Sequence, residues 1–83
     1  NNDNMPTTIL KAEELTDGGI GILTLMVRCG LAPSNGEARR LVQQGGVAIN
    51  DTKITDPKCV IYPEAETILR KGKKVFHKVI VEA

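Results

Sequence analysis

Between Gly30 and Gly46 the chain is punctuated so closely that few backbone courses remain open to it. Pro33-Ser34 opens a helix: Ser34 is a favoured N-cap, and Glu37, three residues on, completes a Ser-x-x-Glu capping box. Gly45-Gly46 stops it. Upstream, apolar residues at 22, 23, 25, 26, 27 and 29 are too many for a one-sided helix. They predict a mostly buried one over 22–29, with Gly30 as its C′ residue. Only residues 30–33 connect the two, so a tight helix-turn-helix-like pair is expected. In the second helix Ala38, Leu41 and Val42 fall at i, i+3 and i+4 and form the apolar stripe. Arg39, Arg40, Gln43 and Gln44 share the other side.

The remaining punctuation reads as strands. Val47-Ala48-Ile49, Asn50-Asp51 and Thr52-Lys53-Ile54 give strand, turn and strand, and Asp56-Pro57 marks the next turn. Residues 68–71, Gly72 and residues 75–81 read as a terminal hairpin. Alternation puts Val75, His77, Val79 and Val81 on one face and Phe76, Lys78 and Ile80 on the other. Residues 7–10 are β-prone, Asp17-Gly18-Gly19 reads as a turn or flexible joint, and residues 1–6 as a disordered lead-in or linker. Eighty-three residues, 41% of them hydrophobic, have surface for one core and not two. The expected fold is therefore α+β: a single domain over 7–83, with two packed helices against a small, mostly antiparallel sheet. A chain that opens on Asn-Asn-Asp-Asn is expected to be a domain cut from a larger protein, and as a fragment to be monomeric.

Little here could do covalent chemistry. His77, the single histidine, sits in a predicted strand with no Cys or Ser at a spacing that would pair nucleophile with base, and is expected to be structural or to face a ligand. Glu64 and Glu66 read as a solvated acidic loop rather than a catalytic pair. Gly18-Gly19-Ile20-Gly21 lacks the Gly-Lys-Ser/Thr of a phosphate loop and the full dinucleotide spacing. Cys29 and Cys59 form neither a CxxC nor a Cys/His zinc set, and are expected to be reduced thiols in a cytoplasmic protein. No metal, cofactor or membrane partner is expected: no apolar run approaches the roughly 18 to 20 residues of a membrane span.

The formal net charge of +1 is uninformative, but its distribution is not. Residues 1–27 hold Lys11 against Asp3, Glu13, Glu14 and Asp17, a local balance of −3, which leaves +4 for residues 28–83. Arg70, Lys71, Lys73, Lys74 and Lys78 fall within nine residues that contain no acid. A cationic helix face and a cationic hairpin tip would each offer phosphate-binding groups. Tyr62 and Phe76 are the only aromatic residues, so an aromatic platform for splayed bases is not expected. Backbone and shape readout of a folded, duplex-containing nucleic acid is.

The run from Gly30 to Asn50, GLAPSNGEARRLVQQGGVAIN, resembles the αL RNA-binding motif first described in small-subunit ribosomal protein S-four. With Met5-Pro6-Thr7 and Ala12-Glu13-Glu14-Leu15 ahead of it and Leu69-Arg70-Lys71-Gly72-Lys73-Lys74 behind, nearly the whole chain resembles the C-terminal domain of bacterial-type tyrosyl-tRNA synthetases. The resemblance implies a domain that grips a tyrosine-accepting tRNA near the anticodon stem and long variable arm. A separate catalytic domain of the same parent, a homodimeric ligase, would use ATP to form tyrosyl-adenylate. The His-Ile-Gly-His-like and Lys-Met-Ser-Lys-Ser-like signatures of that activity are absent, so this piece is not expected to be an enzyme alone. Carried over position by position, the RNA contacts fall on Ser34, Arg39, Arg40, Gln43, Gln44 and Lys53, with Arg70, Lys71, Lys73 and Lys74 as the hairpin's share. The chain departs from the family pattern in two places. Asn35-Gly36 stands where the family often has a basic residue and a second Ser, and Asp51 follows Asn50 where Gly is usual. Two rival readings are an rRNA-modifying enzyme or ribosome-associated heat-shock protein carrying the same motif, and a protein-interaction module whose arginines meet acids on a partner.

Overall fold

The computed structural model describes residues 5–63 and 66–82. A five-stranded sheet runs in the order β1-β7-β6-β3-β4, from β1 (Thr7–Lys11), β3 (Val47–Ile49), β4 (Thr52–Ile54), β6 (Glu66–Lys71) and β7 (Val75–Glu82). All its pairings are antiparallel except β1 with β7, which is parallel. Two helices, α1 (Ile22–Arg28) and α2 (Asn35–Gln43), cover one face. A two-stranded ribbon of β2 (Ile20–Gly21) and β5 (Val60–Ile61), which the sequence reading did not mark, buttresses the start of α1. The α+β architecture with its helix-turn-helix-like pair is thus as expected. Pro6 already belongs to it, one residue ahead of the expected boundary, because its carbonyl accepts the Lys78 N–H at 2.8 Å.

Both helices end as their glycines dictate. The N–H groups of Gly30 and Leu31 return to the carbonyls of Val27 and Met26 at 3.0 and 2.9 Å, and those of Gly45 and Gly46 to Val42 and Leu41 at 3.0 Å each. This is the same C-terminal motif twice, with Gly30 at φ +75° and Gly45 at φ +76° in the left-handed region that a side chain resists. At the other end of α1 no side chain caps. The Cys59 carbonyl instead accepts the Ile22 N–H at 2.9 Å.

Ile22, Leu25 and Met26 of α1 and Ala38 and Val42 of α2 are fully buried against Leu10, Val47, Leu69 and Val79 from the sheet. Each of these side chains except the Ala38 methyl contributes about 1.5–3 kcal/mol of apolar burial. Two expectations change. Helix α1 is more one-sided than its composition implied, since Val27 is 36% exposed and Thr24 and Arg28 are exposed too. In α2, Leu41 is half-buried at the rim of the core, while Ala38 and Val42 hold its centre. Asp17-Gly18-Gly19 forms a turn, one of the two readings open to it, closed by the Thr16 and Gly19 N–H groups donating to each other's carbonyls at 2.8 and 2.9 Å. A Cβ on Gly19 would lie 2.7 Å from Val60 Cγ1 and 2.8 Å from Tyr62 Cε1, so packing against the ribbon also favours glycine there. No helix among the described residues is long and apolar enough to cross a membrane.

Candidate nucleic-acid interface

Helix α2 is built to present its polar side. The Ser34 hydroxyl accepts the Glu37 N–H at 3.3 Å, which fixes the first turn. The Glu37 carboxylate turns to Arg40, at 3.4 Å from Nη1, with the two side chains 45% and 68% exposed. An ion pair that open to water leaves the guanidinium available. Arg39, Gln43 and Gln44 are exposed as well, so the four predicted positions share one solvent-facing side of the helix. Over ten residues at a rise of about 1.5 Å, Ser34 and Gln44 stand roughly 15 Å apart.

At the C-terminal end of α2 the chain turns directly into the sheet. The Gly72 N–H donates to the Gly46 carbonyl at 2.6 Å, which seats the β6–β7 hairpin tip against the helix end. Strand register then lines up Lys53, Ala48, Arg70 and Phe76 across β4, β3, β6 and β7 on the face away from the helices. Ala48, paired with Lys53 on one side and Arg70 on the other, is 1% exposed. The Lys53 chain reaches toward the helix end, where its Cδ and Nζ both come 3.7 Å from the position a Cβ on Gly45 would take. That places a cation at the negative end of the α2 dipole. The result is a cleft of about 370 Å³ lined by Gly45, Gly46, Lys53, Arg70, Gly72 and Lys73. Among the described residues, three cations and no acid line it, and three glycines bring backbone to its surface. A phosphate group is the ligand such a lining suits.

The ten predicted residues therefore divide. Lys53, Arg70 and Lys73 converge on the cleft, and exposed Lys74 sits beside it in the hairpin turn. Arg39, Arg40, Gln43 and Gln44 are exposed along α2, the helix that ends at the glycines of the cleft, with exposed Ser34 at its far end. Lys71 is not brought together with them. It shares the helix-side face of the sheet with Val47, and its ammonium donates to the Leu31 carbonyl at 2.8 Å, in the turn between the helices. Strand alternation separates Lys71 from Arg70, a distinction that a run of basic letters conceals. His77 likewise faces inward, 7% exposed, with Nε2 2.6 Å from the Thr8 hydroxyl, and burial lowers its pKa. Its role is structural. Glu64 lies outside the described residues, and Glu66 belongs to β6, 3.9 Å from the Lys78 ammonium.

Sequence reasoning missed one feature. Arg28 donates from Nε to Glu14 at 2.8 Å and from Nη2 to the Ile9 carbonyl at 3.3 Å. The Arg28 hydrogen bond, helped by the Lys11 N–H, holds the Glu14 carboxyl below its ordinary pKa. Glu14 and Asp17 also line a separate depression with Gly19, Val60 and Tyr62. The hairpin turn of β3 and β4 stands where the sequence placed it, and Asn50 and Asp51 there take φ +47° and +70°. Asp51 Oδ1 stands 3.9 Å from Arg70 Nη1, with its side chain 93% exposed. The acid thus borders the basic row, as its position after Asn50 suggested. Among the described residues no group of three or more His, Cys, Asp or Glu could hold a metal ion.

Residues 1–79 match the family described as "Tyrosine--tRNA ligase SYY-like C-terminal domain". Relatives include the tyrosine–tRNA ligases of Treponema denticola, 47% identical over 85 residues, and of Clostridium tetani, 40% identical over 83. These alignments take in 96% and 95% of this chain and 21% and 20% of the relatives, so the chain spans about a fifth of their length. Among solved structures, one titled "Solution structure of tyrosyl-tRNA synthetase C-terminal domain" superposes with a TM-score of 0.74 at 22% identity. It covers 96% of this chain and 81% of that one, a likeness of fold.

Proposed function

The chain belongs to the family of tyrosine–tRNA ligase C-terminal domains, and from that membership we propose that it is the tRNA-gripping module of such a ligase. It holds a tyrosine-accepting tRNA near the anticodon stem and long variable arm, and a catalytic domain of the same parent chain charges the acceptor end. The parent, a homodimer acting in the cytoplasm, carries out ATP-dependent formation of tyrosyl-adenylate, and this domain contributes binding alone. One observation carries the reading: Lys53, Arg70 and Lys73 line a cleft with Gly45 and Gly46, the residues that directly follow α2, whose Arg39 and Arg40 are exposed. Helix and sheet thus each offer phosphate ligands, and phosphate contacts fix register and orientation on a folded RNA without reading its bases.

The experiment is a salt-dependent titration of the chain against a tyrosine tRNA with its long variable arm intact or trimmed. Five phosphate contacts, from Arg39, Arg40, Lys53, Arg70 and Lys73, give a slope of log affinity on log salt of roughly −4. Trimming the arm is expected to weaken binding sharply. Equal affinity for both tRNAs would favour an RNA-modifying parent, and a slope near zero would remove RNA from the reading.

A further inference from the structure

On the open face of the sheet, a second depression adjoins the phosphate cleft. It measures about 350 Å³ and is lined by Asn50, Asp51, Ile68, Arg70 and Phe76. Arg70 is the wall common to the two. Phe76 lies directly across from Arg70 in the β6–β7 pairing and is 38% exposed, and the sheet carries no helix on this side to cover it. The other aromatic residue, Tyr62, is 68% exposed but lines the depression of Glu14 and Asp17, where a phosphate-bearing ligand is repelled. Of the two rings, Phe76 alone stands beside cations.

The remaining lining suits a flat heterocycle. Asn50 spends its carboxamide oxygen on the Ile68 N–H, at 2.9 Å, so the group it can offer a ligand is its amide nitrogen, a donor. The Asp51 carboxylate at the rim is an acceptor. Ile68 supplies an apolar floor next to the ring. The volume is at the lower end for small-molecule pockets, enough for one ring system and too small for a duplex.

We infer that one unpaired nucleotide of the bound RNA sits astride Arg70. Its phosphate lies in the cleft of Gly45, Lys53 and Lys73, and its base lies on the Phe76 ring with one edge toward Asn50 and Asp51. This rests on the RNA-binding reading and adds to it a single stacked base, which the scarcity of aromatic residues had argued against. Stacking accepts any base, because every base has a π face, so the subsite selects unpaired over paired RNA rather than one sequence over another.

The test uses the 83-residue chain and two RNAs with the same stem, one closed by an unpaired loop bearing 2-aminopurine and one a blunt duplex. The unaltered chain is expected to bind the looped RNA about tenfold more tightly and to quench the 2-aminopurine. Phe76→Leu is expected to lose both the preference and the quench and to keep its duplex affinity, whereas Phe76→Tyr, which retains a ring, keeps all three. Overturning results are an unaltered chain without preference for the loop, a Phe76→Leu chain that still prefers and quenches it, or a Phe76→Leu chain that loses duplex affinity in parallel. If the unaltered chain binds neither RNA, the RNA-binding reading fails and the subsite with it.

Discussion

The Lys71 ammonium donates to the Leu31 carbonyl oxygen at 2.8 Å, tying the end of β6 to the turn between the two helices. Lys73, two residues on, is exposed and lines the phosphate cleft. The two lysines are therefore expected to respond differently to the same substitution. Lys71→Met strands the carbonyl of a residue only 8% exposed and removes a charge-assisted hydrogen bond, at a cost of about 1–3 kcal/mol. Lys73→Met leaves the melting temperature alone and lowers the salt slope of RNA binding by roughly 0.7 to 0.9. Thermal melts and salt titrations on both variants check this. A Lys71→Met protein that melts normally and binds poorly would return Lys71 to the RNA surface.

Arg39 and Arg40 lie off the buried Ala38 and Val42 stripe of α2, and the contact of Arg40 with Glu37 is too exposed to matter for stability. Replacing both arginines by Glu is expected to leave the melting curve close to that of the parent and to abolish tRNA binding in a filter assay. Retained affinity in a normally folded variant would move the interface off this helix.

Burial lowers the pKa of His77, so the folded state takes up a proton less readily than the unfolded chain, whose histidine titrates near 6.5. Above that pH both states hold neutral imidazole and the residue has no pH-dependent effect. As the pH falls below it, the unfolded state gains protons first and stability declines until the folded imidazole also titrates. The Glu14 carboxyl, held low chiefly by Arg28, stabilises the fold above about 4.5 and loses that contribution as the pH falls through its folded value. Melting temperature is thus expected to begin falling below about pH 6.5 and to fall further in the carboxylate range. His77→Gln removes the first phase and leaves the second. A flat profile between pH 7 and 5 for the unaltered protein would contradict the burial.

How much was legible before the coordinates follows from the range of the interactions involved. Ser34, Gly30 and Gly45 act within a turn of their own helix, and the sequence located both helices through them. The β3–β4 and β6–β7 hairpins were also local. Three features depend on which strand lies beside which. They are the parallel pairing of β1 with β7, the ribbon of β2 with β5, and the row of Lys53, Ala48, Arg70 and Phe76. No short-range pattern encodes such pairings, so the sequence supplied the cationic letters but not the sorting that sends Lys71 inward and Arg70 outward. Leu41 shows the same limit within a helix: its spacing matches the stripe, yet only the placement of the sheet decides that it sits at the rim.

Asp51 holds φ at +70° in the second position of the β3–β4 turn, where Gly would be at ease, and its carboxylate stands 3.9 Å from Arg70. Asp tolerates the left-handed region better than most residues but still incurs a steric cost that Gly avoids. The left-handed cost of about 1–2 kcal/mol, less the greater freedom of Gly in the unfolded chain, leaves Asp51→Gly expected to stabilise the fold by about 1 kcal/mol, which in a domain of this size raises the melting temperature by roughly 4–8 °C. The same change removes the acid that lines the depression beside Arg70, so affinity for a blunt RNA duplex is expected to rise and its salt slope to steepen. Stability and duplex binding should move upward together, an unusual pairing for one substitution. The reason is that Asp51 combines a backbone conformation suited to Gly with a charge of the wrong sign for phosphate. A variant that is more stable but binds duplex no better would show that Asp51 does not shield Arg70 from the RNA.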